Sequence, residues 1–223
     1  MTQNKITNFH EQKPLSGGEP KELVILLHGL GSNGNDLISL APLWAQEIPN
    51  AVFVSPDAPF MCDMVPPGYP NAYQWFSLQN RDPDTVLQGV QRAAPILESF
   101  ITEQLDKYGL LASRLALVGF SQGTMMSLYS GPRYHSPIAG VLGYSGALVW
   151  ESDVDQAILN RVPVHLIHGE MDDVVPISAY VAACEQLKAC GFSVTGHTTP
   201  SLTHSIDQHG VNSGGKFLAS VFS

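Results

Sequence analysis

A serine flanked by spaced glycines is the residue best suited to act as a nucleophile. The segment Gly119 to Gly123 reads G-x-S-x-G and lies between an apolar stretch, RLALV, and a helix-forming stretch, QGTMMSLYS. A serine on such a sharp strand-to-helix turn needs glycines on both sides, where a Cβ would clash, and the helix N-terminus favours negative charge on its oxygen. The pattern predicts that Ser121 attacks a carbonyl carbon. Ser145 follows another predicted strand but lacks the second spaced glycine, so we interpret it as a loop serine.

The acid of the site is expected directly after a later strand. A serine hydroxyl is a weak nucleophile at neutral pH and needs a neighbouring base that is oriented by a carboxylate. With the serine on this kind of turn, the acid follows it along the chain and the histidine comes last. The segment HGEMDDVVP offers Glu170, Asp172 and Asp173. Asp172 is preferred and Asp173 is second.

The base is expected among the histidines that follow the acidic segment. His204 is preferred because it lies in the loop SLTHSID after the last predicted strand. His197 belongs to a strand pattern, and His209 lies deeper in a polar stretch. His28 and His168 end earlier strands, and the chain order argues against either of them as the base.

Two main-chain N–H groups are needed to stabilise the tetrahedral oxyanion. In this arrangement one comes from the residue after the nucleophile and one from the loop after an early strand. These residues are Gln122 and Leu30, the latter within the sequence HGLG.

The same glycine loop also matches a nucleotide-binding pattern. Residues Gly29 to Gly34 satisfy G-x-G-x-x-G after a strand, and Asp57 lies near the end of the next strand. In a dinucleotide site the helix begins within the glycines, whereas Asn35 and Asp36 are expected to cap it later. A dinucleotide-binding oxidoreductase also leaves Ser121 unexplained, so this alternative is disfavoured. A non-catalytic binding protein on the same scaffold would lack a member of the serine, acid and histidine set, and none is missing.

Apolar runs alternate with helical periods along the chain. This alternation predicts a mostly parallel sheet with helices on both faces, which places ligands beyond the carboxyl ends of the strands. Pro95 is expected to kink the second helix. Strands are predicted over residues 23–27, 51–55, 114–119, 138–142, 164–167 and 192–198, and helices over residues 36–47, 82–108, 122–130, 177–190 and 214–221.

The composition of the chain limits the classes of protein to which it can belong. With 44% hydrophobic and 14% charged residues, the 223-residue chain is expected to form one globular domain over residues 1–223. The net charge of −9, with scattered basic residues, disfavours nucleic acid as a partner. The chain shows no secretory pattern at its start and no long apolar span, and its three cysteines form no closed disulfide set. We therefore expect a cytoplasmic protein without stable membrane insertion.

Four segments, LHGLGSNGNDL, GFSQGTMMSL, HGEMDDVVP and LTHSI, together resemble the small bacterial carboxylesterase, lysophospholipase and acyl-protein thioesterase family. They span almost the whole chain in the family's order. The resemblance implies an α/β-hydrolase fold without a large cap domain, and neither a cofactor nor a metal. It also implies a catalytic triad and a pair of oxyanion donors that agree with the residues chosen above, namely Ser121, Asp172 and His204, with Leu30 and Gln122.

One position departs from the family's pattern. Relatives usually have glycine where this chain has Thr124, a change expected to alter local packing without touching the chemistry. Dienelactone hydrolases share the fold but use a cysteine nucleophile, and the turn here carries none.

A short lid is also implied by the resemblance. The lid loop is expected over about residues 57–80, and its segment MCDMVPPGYPNAYQWF corresponds to the loop beside the acyl pocket in relatives. Met64, Val65 and Trp75 are predicted to line the substrate site.

A short lid favours a serine carboxylesterase that hydrolyses short to medium-chain esters, with acyl-protein thioesterase or lysophospholipase as alternatives. The partner is thus a small-molecule ester or thioester. Relatives often form homodimers, but no stripe of this sequence identifies an interface.

Overall fold

The computed structural model describes residues 5–66 and 68–223. Residues 1–4 of the expected domain and Pro67 of the expected lid lie outside this part. Short 3₁₀ turns occur at Ile38–Leu40, Ala112–Arg114 and Gln156–Ile158. The strands are β1 (Phe9–Gln12), β2 (Glu22–Leu27), β3 (Ala51–Pro56), β4 (Phe60–Met61), β5 (Tyr73–Gln74), β6 (Leu115–Phe120), β7 (Gly140–Tyr144), β8 (Val164–Gly169) and β9 (Val194–Thr199), and the helices are α1 (Gly34–Leu37), α2 (Ala41–Trp44), α3 (Pro83–Tyr108), α4 (Gln122–Arg133), α5 (Ile177–Ala189) and α6 (Gln208–Phe222).

The central sheet has the strand order β1-β3-β2-β6-β7-β8-β9. Only β1 is antiparallel to its neighbour, and the other strands pair in parallel. The apolar runs become strands because both faces of the sheet are covered, so a strand such as β2 is buried along its whole length. The predicted α/β-hydrolase architecture is confirmed.

Side chains that alternate along a strand pack into two separate hydrophobic cores, one on each face of the sheet. In β2, Leu23 and Ile25 pack into the core shared with α3, α4 and α5, whereas Val24 and Leu26 pack into the core shared with α2 and α6. No helix in the described ranges is long and apolar enough to cross a membrane.

The first predicted helix is broken in the structure. Residues 36–47 were expected to form one helix, but α1, a 3₁₀ turn and α2 replace it. Pro42 has no N–H to donate to an earlier carbonyl, which breaks the regular helical pattern here. The expected cap at Asn35 and Asp36 is also wrong, because the side chain of Asn33 caps α1 by accepting the Asp36 N–H at 3.1 Å.

Three further elements were missed or shortened by the sequence patterns. The edge strand β1 was not predicted, nor was the β4-β5 hairpin within the lid segment. The closing helix begins at Gln208, six residues before the predicted start at Gly214. Glycine in a sequence pattern usually indicates the end of a helix. Here a Cβ on Gly214 would lie 2.2 Å from the Tyr144 hydroxyl, so the glycine allows the helix to pack against β7.

A histidine between the sheet edge and α6 links stability to pH. The ring of His165 contacts the hydroxyls of Thr195 and Ser213 at 2.7 and 2.8 Å and stacks on Phe217. Burial, and then the neighbouring His197, lower the pKa of His165 to about 4. The unfolded chain, with an ordinary histidine pKa of about 6.5, therefore takes up a proton at a pH where the folded chain does not.

Stability is accordingly expected to be full above about pH 6.5 and to fall as the pH drops towards 4. Replacing His165 with glutamine should reduce this acid-dependent loss by about 1 kcal/mol, allowing for partial solvent exposure. Urea unfolding at a series of pH values tests this. Parallel stability profiles for the variant and the wild type would contradict it.

Candidate active site

The candidate residues meet at the carboxyl ends of four parallel strands. Leu30 follows β2, Ser121 follows β6, Asp172 follows β8 and His204 follows β9. Loops after parallel strands converge at one edge of a sheet, and this edge is where such folds bind ligands.

Ser121 has a strained backbone at the turn from β6 to α4. Its φ of 54° and ψ of −115° lie outside the regions that residues with a side chain normally adopt. The turn is so tight that a Cβ on Gly123 would lie 1.8 Å from the Leu27 carbonyl oxygen, and one on Gly119 would lie 2.3 Å from the Thr124 nitrogen. Both glycines of the G-x-S-x-G pattern are therefore required by main-chain packing, and such strain is typical of functional residues.

Thr124 fills space beneath this turn. Its hydroxyl lies 2.8 Å from the carbonyl oxygens of both Gly119 and Tyr144 and accepts the Tyr144 N–H at 3.0 Å. Gly143 and Gly146 make room for it, since a Cβ on either would lie within 2.6 Å of the threonine side chain. The threonine hydroxyl thus joins the ends of β6 and β7 beneath Ser121.

Removing this hydroxyl should destabilise the fold. Thr124→Val keeps the shape but removes the hydroxyl that bridges the Gly119 carbonyl and the Tyr144 main chain, which we expect to cost about 1–3 kcal/mol in unfolding free energy. Thr124→Ser keeps the hydroxyl and loses one methyl group, at a cost of about 1 kcal/mol. Urea unfolding of both variants measures the difference. A serine variant as unstable as the valine variant would contradict the role of the hydroxyl.

Asp172 and His204 form a hydrogen-bonded pair. His204 Nδ1 donates to Asp172 Oδ2 at 2.8 Å, and the other carboxylate oxygen accepts the N–H groups of Val174 and Val175. Burial raises the pKa of Asp172, but these hydrogen bonds outweigh it and hold the pKa below its usual range. The buried His168 also lies 3.4 Å from Oδ2 while it contacts the Val175 carbonyl. An ionised carboxylate thus holds the His204 ring with its Nε2 atom free.

The other sequence candidates lie elsewhere. The rings of His197 and His209 pack against each other with centroids 4.2 Å apart. The Glu170 carboxylate accepts the Thr198 hydroxyl, and Asp173 is exposed. Of the acids and histidines left open by the sequence, the structure brings Asp172 and His204 together.

Ser121 and His204 line one small pocket. Among the described residues they are not joined by a direct hydrogen bond; such contacts are often long in a free enzyme and tighten around the substrate. The Phe120 ring packs against the imidazole at 4.8 Å between centroids and limits its movement.

Two main-chain N–H groups close to Ser121 in the chain or in the pocket are the candidate oxyanion donors. Within residues 5–66 and 68–223, the N–H groups of Leu30 and Gln122 donate to no protein acceptor. The loop that carries Leu30 is held by His28, whose Nδ1 donates to the Gly29 carbonyl and whose Nε2 accepts the Ala58 N–H. Burial lowers the pKa of His28, which keeps it neutral in this double role. The two N–H groups are available to stabilise an oxyanion.

The Gln122 side chain has a second role that the motif did not reveal. Its amide oxygen accepts the Trp75 N–H at 2.8 Å, and its amide nitrogen donates to the Phe76 carbonyl at 2.8 Å. The end of the lid segment is therefore tied to the residue that follows the nucleophile.

A cavity of about 730 Å³ opens beside Ser121. Much of its wall is apolar, and charged side chains lie among the lining residues. The wall includes Leu30, Leu78, Val86, Leu87, Met125, Leu148, Val149, Trp150, Val174 and Val175, and the charged residues are Arg81, Asp84, Glu151 and Asp153.

The predicted substrate-contacting residues do not line this cavity. Trp75 is fully buried and its indole N–H donates to the His28 carbonyl, while Met64 is exposed and Val65 half-buried on the lid. Among the described lid residues, Leu78 lines the cavity. The loop after β7 supplies Trp150 and its neighbours, and the signal for it was the apolar sequence GALVW a few residues after a predicted strand.

Within the described ranges, no cluster of three or more histidine, cysteine, aspartate or glutamate side chains is arranged to hold a metal. The glycine loop packs closely against Ser121, since a Cβ on Gly29 would lie 3.2 Å from the Ser121 Cβ. Gly34 packs against β3, where its Cβ would lie 2.2 Å from the Ser55 carbonyl oxygen.

This fold and site define a hydrolase of carboxylic esters with the α/β-hydrolase architecture. The chain belongs to the phospholipase/carboxylesterase family, whose profile matches residues 15–222. It is 31% identical to acyl-protein thioesterase 1 of Gibberella zeae over 82% of this chain and 83% of the relative. It is 29% identical to esterase YpfH of Escherichia coli over 84% of this chain and 77% of the relative. The crystal structure of esterase PE8 matches with a TM-score of 0.89 and 35% identity over 97% of this chain and 99% of that one.

Proposed function

We propose that this chain is a serine carboxylesterase in which Ser121 is the nucleophile, His204 the general base and acid, and Asp172 the residue that orients His204. The observation that carries the proposal is the 2.8 Å hydrogen bond between His204 Nδ1 and Asp172 Oδ2, because it leaves Nε2 free in the pocket that Ser121 lines. The ionised carboxylate fixes the tautomer and stabilises the imidazolium that forms during the reaction.

The reaction proceeds through an acyl-enzyme. His204 takes the proton of Ser121 as Oγ attacks the ester carbonyl, and the N–H groups of Leu30 and Gln122 stabilise the oxyanion. His204 then protonates the leaving oxygen as its bond to the acyl carbon breaks. Water attacks the acyl-enzyme with His204 again as the base, which releases the carboxylic acid and restores Ser121. These steps need neither a cofactor nor a metal.

Short to medium acyl chains fit the large cavity best. Its apolar wall at Leu148 and Trp150 suits an aliphatic chain, but the charged residues Arg81 and Asp84 also line it. A long chain would have to desolvate those charges, which is costly. We therefore expect kcat/KM for p-nitrophenyl esters to peak at short or medium chains and to fall by about tenfold or more for palmitate.

A palmitoyl thioester assayed beside the esters separates the alternatives. The likeness to a protein named acyl-protein thioesterase 1 supports thioester cleavage as a second candidate, since the same oxyanion site and acyl-enzyme serve both bonds. Preference for the palmitoyl substrates over the short esters would overturn the carboxylesterase proposal in favour of a thioesterase or lysophospholipase.

We also propose that residues 1–223 form one domain and that the protein works in the cytoplasm. The described sheet and its two cores run from β1 to α6, which supports a single folding unit. Cys62, Cys184 and Cys190 are free, which suits a reducing compartment. If the chain is one domain, urea should unfold it in one cooperative transition. If the protein works in the cytoplasm, its fusion to a fluorescent protein should show cytosolic fluorescence.

A further inference from the structure

Two pockets of different character meet at the nucleophile. The 730 Å³ cavity and a pocket of about 120 Å³ are both lined by Ser121 and Leu30, so both adjoin the candidate reacting centre. His204 lines the small pocket and does not line the large cavity. The two pockets therefore receive different parts of a substrate.

The position of His204 determines which part enters which pocket. In an acyl transfer the general acid must reach the leaving oxygen or sulfur, so the leaving group departs on the side of the histidine. The acyl chain then lies in the large apolar cavity. The alcohol or thiol lies in the small pocket, which Phe120 and Leu37 bound on its apolar side.

The polar side of the small pocket carries a negative charge. Ser32 and Asp36 line it, and the Ser32 hydroxyl donates to Asp36 Oδ2 at 2.7 Å. No lysine or arginine is among the described residues that line this pocket. A pocket this small holds a leaving group close to the Asp36 carboxylate, where an anionic group would be repelled.

We infer that the small pocket is a leaving-group subsite that admits compact alcohols or thiols and favours cationic over anionic ones. The inference rests on the proposed esterase function and extends it to the alcohol side of the substrate. Acylation at this site forms the bond between Ser121 Oγ and the acyl carbon and breaks the bond to the leaving oxygen or sulfur. The proton of Ser121 passes through His204 to the leaving oxygen or sulfur, which departs as an uncharged hydroxyl or thiol group while the rest of the leaving group lies beside Asp36.

Three thioesters with the same butyryl group test the subsite: butyrylthiocholine as the cation, S-butyryl mercaptoethanol as the neutral compound and S-butyryl thioglycolate as the anion. A chromogenic disulfide measures the released thiol. Replacing Asp36 with asparagine should lower the ratio of kcat/KM for the cation to that for the anion by about three- to tenfold. Comparing this ratio between the wild type and the variant cancels the different intrinsic reactivities of the three thioesters.

Asp84 provides a matched control. Like Asp36, it is an exposed aspartate in the first turn of a helix, but it lines the large cavity. Asp84→Asn should leave the ratio of cation to anion unchanged, because all three substrates place the same butyryl group in the cavity that Asp84 lines. High salt should shrink the effect of Asp36→Asn, because it screens exposed charges.

The outcomes separate the subsite from the proposed function. An unchanged ratio in Asp36→Asn, or an equal fall in Asp84→Asn, with the neutral thioester still hydrolysed, would overturn the subsite alone. Failure of the wild type to cleave the neutral thioester and p-nitrophenyl butyrate would overturn the proposed function and the subsite together.

Discussion

Replacing Ser121 with alanine should lower kcat/KM for p-nitrophenyl butyrate by about 10⁴- to 10⁶-fold. The reaction depends on a covalent bond to Oγ, and neither the oxyanion donors nor His204 can replace that bond. The residual rate should come from binding and from the N–H groups of Leu30 and Gln122 alone. The backbone φ of 54° is no easier for serine than for alanine, so the variant should fold as the wild type does.

Ser145 supplies a matched control for this loss. It is a buried serine with a positive φ of 46° at the end of the neighbouring strand, and its hydroxyl has no hydrogen-bond partner among the described residues. Ser145→Ala removes an unpaired hydroxyl and should change kcat/KM by less than about threefold. Comparable losses in the two variants would show that the loss is not specific to the Ser121 hydroxyl, and would contradict the assignment of Ser121 as the nucleophile.

Replacing Gly123 with alanine should destabilise the fold severely. The added Cβ would lie 1.8 Å from the oxygen and 2.4 Å from the carbon of the Leu27 carbonyl. Both atoms belong to the end of a central strand that is held on both sides by neighbouring strands, so they cannot move away as a flexible side chain could. We expect a loss of about 4 kcal/mol or more in unfolding free energy, or failure to fold.

Gly18→Ala tests whether this loss is specific to the turn. Gly18 lies in the loop before β2, and the nearest atom to its added Cβ would be the Ser16 hydroxyl at 3.8 Å. Its unfolding free energy should stay within about 0.5 kcal/mol of the wild type. Urea denaturation followed by tryptophan fluorescence compares the two variants, and coinciding midpoints would refute the packing argument.

Local patterns in the sequence were sufficient to predict the six parallel strands of the sheet, but not its edge strand β1 or all of the elements around it. Strands such as β2 and β6 are buried on both faces, so their uninterrupted apolar runs could be recognised directly. The edge strand β1 is half-exposed and short, and it exists because β3 offers it a partner, which no local pattern encodes. Likewise, α6 continues through Gly210 and Gly214 because of tertiary packing against Tyr144.

The candidate site, like the fold, could be predicted from the sequence only in part. Ser121, Asp172 and His204 could be chosen because their order and their positions after strands follow from the chemistry and from sheet topology. The walls of the cavity could not be chosen in this way. Trp75 resembles a pocket residue in sequence, but its indole is used to hold the His28 carbonyl, and residues distant in sequence, such as Leu87 and Trp150, form the wall instead.

Covalent trapping tests the nucleophile most directly. The protein is incubated with a fluorophosphonate, and its intact mass and proteolytic peptides are measured. The account predicts one phosphonate group per chain, located on Ser121, with no labelling of Ser121→Ala and normal labelling of Ser145→Ala. A label on another residue, or equal labelling of wild type and Ser121→Ala, would contradict it.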